Sequence, residues 1–69
     1  MPTDPLARIF RLADKLRRAD PTLSIRKLAS LINAQYERDL KALNMPSDAA
    51  MKKRRLKHLI INLEHHYRE

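Results

Sequence analysis

The sequence predicts an all-α fold, a single three-helix bundle formed by residues 1–69, and three observations lead to it. Glycine and valine are absent and threonine occurs only twice, so tight hairpins lack their favoured turn residues and strand-forming segments are hard to find. Leucine (11 copies) and alanine (eight copies) dominate the apolar set. Apolar residues recur at spacings of three and four in three segments, and proline-containing breaks separate those segments.

The first helix is expected over about 5–19. Asp4 is a suitable N-cap and Pro5 suits the first helical position. Leu6, Ile9, Phe10, Ala13 and Leu16 form the inward stripe, with Arg8, Arg11, Lys15 and Arg18 outward. Asp20-Pro21 ends the helix near Ala19. The second helix is expected over about 25–43, capped by Ser24, with Leu23 stapled to Leu28. Ile25, Leu28 and Ile32 begin its stripe, and Leu31, Tyr36, Leu40 and Leu43 continue it. Asn44-Met45-Pro46-Ser47 is the next break. Ser47 reads as the cap of a third helix over about 48–67, with Asp48 favourably placed in the first turn. Leu56, Leu59, Ile60, Leu63 and Tyr67 make its narrow apolar face, and Ile61 falls outward.

Length and composition exclude several function classes. Sixty-nine residues leave room for one core and a radius of gyration of about 11 Å. Without glycine there is no P-loop, dinucleotide fingerprint or nucleophile elbow, and positions needing positive φ are not expected. Without cysteine there is no disulfide framework or thiolate metal site, which fits a cytoplasmic location. The longest bulky apolar run, Leu59-Ile60-Ile61, is far too short to span a membrane, and Met1–Pro5 has no charged-then-apolar leader pattern.

The charge balance points to a partner class. Fifteen Lys+Arg against eight Asp+Glu give a net charge of +7. Lys52, Lys53, Arg54, Arg55 and Lys57 place five positive charges within six residues, forming a collar around the first half of the third helix. Phosphate backbones are the commonest partners of such a surface, so a nucleic acid, preferably duplex DNA, is expected. A solvated helix face, an acidic protein partner for a helical adaptor or inhibitor, and an anionic membrane surface are the rival readings.

Ser24-Ile25-Arg26-Lys27-Leu28-Ala29-Ser30-Leu31-Ile32-Asn33 resembles the first helix and turn of small helix-turn-helix DNA-binding proteins. It has the capping Ser, Ala at the close-packed position, and Asn33 where the turn usually has Gly. The resemblance covers residues 24–43. It implies a recognition helix opening at Gln35-Tyr36-Glu37-Arg38, a role in transcription regulation, and Arg26, Lys27 and Arg38 as further nucleic-acid contacts. The segment departs from the pattern at Asp39, where the family has a buried aliphatic residue.

No constellation for catalysis stands out, so no enzyme activity and no cofactor are expected. Ser24, Ser30 and Ser47 are accounted for by caps or helix surface, and Asp14/Arg18 and Glu37/Lys41 read as helical i,i+4 pairs. His58, His65 and His66 lack metal-ligand spacing, and Tyr36 and Tyr67 read as core-edge residues. A chain this short without disulfide or metal is marginal alone, which favours a homodimer.

Overall fold

The computed structural model describes residues 4–68 as α1 (Pro5–Ala19), α2 (Ile25–Ala42) and α3 (Ala49–Tyr67). Met1, Pro2 and Thr3, part of the stretch read for a leader, and Glu69 lie outside the described residues. The caps explain the boundaries. Asp4 Oδ1 accepts from the Leu6 amide at 3.0 Å, with Pro5 at the first helical position. Ser24 Oγ accepts from the Lys27 amide at 3.1 Å, and Leu23 packs against the core that contains Leu28. The cap of α3 is Asp48 rather than Ser47: its carboxylate accepts from the Met51 amide at 2.7 Å. An ionised acceptor at a helix N-terminus also interacts favourably with the dipole.

The α2–α3 connection contains a conformation that the absence of glycine argued against. Asn44 adopts φ 54° directly after the Leu43 cap. The Met45 amide donates to the Leu40 carbonyl and the Asn44 amide to the Lys41 carbonyl, at 2.9 and 3.1 Å. This is the Schellman arrangement, with asparagine in place of glycine at the left-handed position. Asn tolerates that region better than other side chains do. At the other connection, Asp20 Oδ1 accepts from both the amide and the hydroxyl of Thr22, closing the turn through Pro21.

The helices run up, down and up. Arg8 and Ile9 near the start of α1 share a hollow with Tyr36 and Asp39 late in α2. Ile25 at the start of α2 shares another with Glu64 and Tyr67 at the end of α3. Leu28 and Ile32 of α2 are fully buried with Ala13, Ala29 and Leu63, and Leu59 is nearly so. Ile9, Phe10, Leu12, Leu16, Tyr36, Leu56, Ile60 and Tyr67 pack around them. Helix α2 therefore serves as the spine against which α1 and α3 both pack. The radius of gyration is 12.3 Å, somewhat above the value expected from length, as α1 and α3 pack far less against each other than against α2.

Three parts of the sequence reading are corrected. Leu31 and Leu43 do not continue the buried stripe of α2, and Leu6 does not begin that of α1: all three are exposed. Leu43 is the cap residue, 69% exposed, so the stripe stops with the helix. The turn that the helix-turn-helix resemblance places at Asn33 is not formed, because α2 is unbroken through Asn33 and Ala34. Asn33 is 3% exposed, packed into the middle of a helix rather than exposed in a turn. Ile61, by contrast, is exposed as expected.

Replacing Leu63 by Ala should lower stability by about 2–5 kcal/mol, since truncating a fully buried side chain leaves a cavity. Ile61→Ala should change it by less than about 0.5 kcal/mol. Denaturant unfolding of the two variants checks the assignment, and equal losses would refute it.

Candidate nucleic-acid interface

The basic run is fixed to the bundle by a polar knot between α2 and α3. Asn33, buried on α2, donates through Nδ2 to the Lys52 carbonyl at 3.1 Å. Its Oδ1 accepts from Arg55 Nη1 at 2.9 Å. Arg55 Nη1 also donates to Glu37 Oε1 at 3.0 Å. Ser47 Oγ donates to the same oxygen at 2.8 Å, tying the α2–α3 connection into the knot. The Arg55 guanidinium lies 5.9 Å from the centre of the Tyr36 ring. The Ser47 hydroxyl and then the Arg55 guanidinium hold the Glu37 carboxyl below its usual range, helped by the charges of Arg55 and Lys52.

This geometry sorts the basic residues. Arg55 is half-buried and hydrogen-bonded to Asn33 and Glu37, which gives it a structural role in the α2–α3 contact. The charge of Lys52 is felt by Glu37. Lys53, Arg54 and Lys57 are exposed, and among the described residues none of them pairs with a carboxylate. Between the cap Asp48 and Glu64 the sequence of α3 holds no acidic residue. His58 is exposed beside them.

The three residues taken from the helix-turn-helix resemblance do not join this surface. Arg26 and Lys27 sit in the first turn of α2, which packs by the end of α3, at the opposite end of the bundle from Lys52. Arg38 donates to Gln35 Oε1 at 2.7 Å, and Gln35 Nε2 donates to Asp39 Oδ1 at 3.1 Å. That chain belongs to the α1-facing side of α2, where Gln35 and Asp39 line a hollow with Arg8, Arg11 and Lys15. Glu37 and Asp14 make their hydrogen bonds across the bundle, to Arg55 and Ser47 and to Tyr67, while the Arg18 charge of the expected Asp14/Arg18 pair still acts on Asp14.

The second such link joins α1 to the last turn of α3. The Tyr67 hydroxyl donates to Asp14 Oδ1 at 2.5 Å, and His66 Nε2 lies 3.6 Å from the same oxygen. The His66 ring stacks on Phe10 at 4.0 Å between centres and 4° between planes. Arg17 lies 4.5 Å from the Tyr67 ring centre. The Tyr67 hydrogen bond, more than the neighbouring His66 and Arg18 charges, holds the Asp14 carboxyl low against the opposing effect of burial. The sequence reading missed this cluster, whose members stand 53 positions apart. Its one signal was Phe10 and Asp14 at i,i+4 on the edge of the α1 stripe.

Among the described residues, no three His, Cys, Asp or Glu side chains come together as a metal site, and no helix is long and apolar enough to cross a membrane. No family model, curated protein or solved structure matches the chain.

Asn33→Ala should destabilise the bundle by about 1–3 kcal/mol, because it leaves a half-buried Arg55 short of an acceptor. Acid should weaken the fold through Glu37 and Asp14, whose carboxyls are held below their ordinary values. The stabilisation is complete above the unfolded-state values of about 4 and is lost as pH falls through the lower folded values. Thermal melts between neutral and acidic pH should show that loss, and Glu37→Gln or Asp14→Asn should each flatten it.

Proposed function

We propose that this chain is a small non-enzymatic nucleic-acid-binding protein that grips duplex DNA by its phosphates through Lys53, Arg54 and Lys57. The observation that carries the reading is the state of these three cations. They are exposed within about one turn of α3 and have no carboxylate partner among the described residues. A dense cluster of like charge disfavours a bare helix, and polyanion binding relieves the repulsion while releasing counterions. Lys52 adds to the field from the edge of the knot, while Arg55 holds the helix in register.

Phosphate contacts position a protein but read no sequence. Gln35 and Arg38, the residues the resemblance would use for base reading, are engaged with each other and with Asp39. The supported mode is therefore binding with little sequence preference. Pairing of two copies belongs to the same proposal, since a dimer doubles the phosphate contacts and adds burial to a small core. Mass in solution with and without duplex DNA tests that pairing.

Neutralising Lys53, Arg54 and Lys57 together to Gln should leave helix content unchanged, because none of the three reaches the core. The slope of log K against log salt should become shallower by up to about 2.7, at roughly 0.9 for each phosphate that is no longer neutralised. Titrations of labelled duplex at several salt concentrations measure it. Wild-type protein that does not bind DNA at low salt, or an unchanged slope in the variant, would overturn the reading.

A further inference from the structure

We propose that the groove between α1 and the first half of α3 is a docking site for an acidic amphipathic helix of a protein partner. The groove has a volume of about 330 Å³. Its apolar lining, the floor, is Ile9 from α1 with Met51 and Leu59 from α3, beside the polar Arg55 and Asn62. The exposed Arg54 and His58 stand on its rim, and among the described residues no carboxylate lines it. The α3 residues lining it run from Met51 to Asn62 at spacings of three and four, about 16 Å along the axis. A docked helix presents its anchors with this same periodicity.

The groove exists because the contacts that join α1 to α3 gather at the end of α3. Phe10 stacks on His66, and Asp14 and Arg17 meet Tyr67. Nearer the start of α3, Ile9 and Met51 flank an opening in place of a packed seam. Met51 is left 48% exposed there.

The chemistry of the walls selects the occupant. A phosphate backbone would satisfy Arg54 but leave the apolar lining in water. A second copy seated in this groove would satisfy the floor but set one of its net-basic helices against Arg54, so the pairing of copies proposed above uses another face. An acidic amphipathic helix meets both demands, its apolar stripe on the floor and its carboxylates at Arg54 and His58. The larger hollow between α1 and α2 gives no such direction, because Arg8 and Asp39 both line it and offer both signs of charge.

The test uses the full chain and a synthetic helical peptide of about 15 residues, roughly four turns. The peptide carries Leu at i, i+3, i+4 and i+7 with Glu on the other faces. Two control peptides replace Glu by Lys or Leu by Ser. The acidic amphipathic peptide should bind and shift the amide resonances of Ile9, Met51, His58 and Leu59, and neither control should. Met51→Asp and Arg54→Glu should each weaken binding by about tenfold or more while leaving the melting curve in place, because both side chains are exposed. Binding that ignores Met51→Asp, equal binding of a control peptide, or shifts confined to another face would overturn the proposal. The same amides shifting on dilution of the protein alone would assign the groove to a second copy and overturn it too. Met51→Ser removes the apolar anchor without adding charge beside Arg54, so that variant should lose the peptide and keep DNA binding, and the docking and nucleic-acid readings can fail separately.

Discussion

The Arg55 guanidinium is the group on which the placement of α3 depends. A half-buried cation is costly unless its donors are met, and here Asn33 and Glu37 meet them from one face of α2. Neither acceptor is free to shift. Asn33 is also anchored to the Lys52 carbonyl, and Glu37 also accepts from Ser47. A one-residue slip of α3 would rotate Arg55 by about 100° and leave the buried Asn33 oxygen unmet. The knot thereby fixes both the register of α3 and the direction in which its other basic residues point. Apolar burial drives the helices together without that directional information.

A comparable fastening at the other end involves α1. Asp14 gathers the Tyr67 hydroxyl and the His66 ring, while Phe10 backs the histidine. Between these two polar ties lie Leu28, Ile32, Leu59 and Leu63, the large buried side chains of the core. The ties differ in what they hold. The Arg55 knot joins α3 to α2 and to the connection before it, whereas the Asp14 cluster joins α3 to α1. With α1 and α3 fastened near the end of α3, their seam is left open near its start, which is where the Ile9–Met51 groove lies.

Local chemistry made the helices legible from sequence. Asp4-Pro5, Ser24 and the proline breaks act within a few residues of the boundaries they set, and α1 spans the expected residues. Errors arose where a residue's partner is distant in the chain. Ser47 looked like a cap, but Asp48 takes that role and leaves the Ser47 hydroxyl to Glu37. Arg55 looked like one more surface cation because Asn33 and Glu37 are about 20 positions away. Only the resemblance placed Asn33 in a turn; the continuous helix expected over about 25–43 forms, with the buried Asn33 amide satisfied from a neighbouring helix. Asn44 shows the reverse: a local substitution of asparagine for glycine was available and overlooked.

Net charge alone overstates the basic surface of this chain. Arg55 is spent on Glu37, Arg17 lies over Tyr67, and the charges of Lys52 and Arg18 fall on Glu37 and Asp14. The remaining cations divide by surroundings more than by number. Arg8, Arg11 and Lys15 share their hollow with Asp39, so the local field there is mixed. Lys53, Arg54 and Lys57 stand on a stretch of α3 without acidic residues, where their potentials add. The knot makes that difference possible. By taking Arg55 inward and giving its charge a partner, it lets a run of basic residues fold as one helix while Lys53, Arg54 and Lys57 face outward with no carboxylate partner among the described residues.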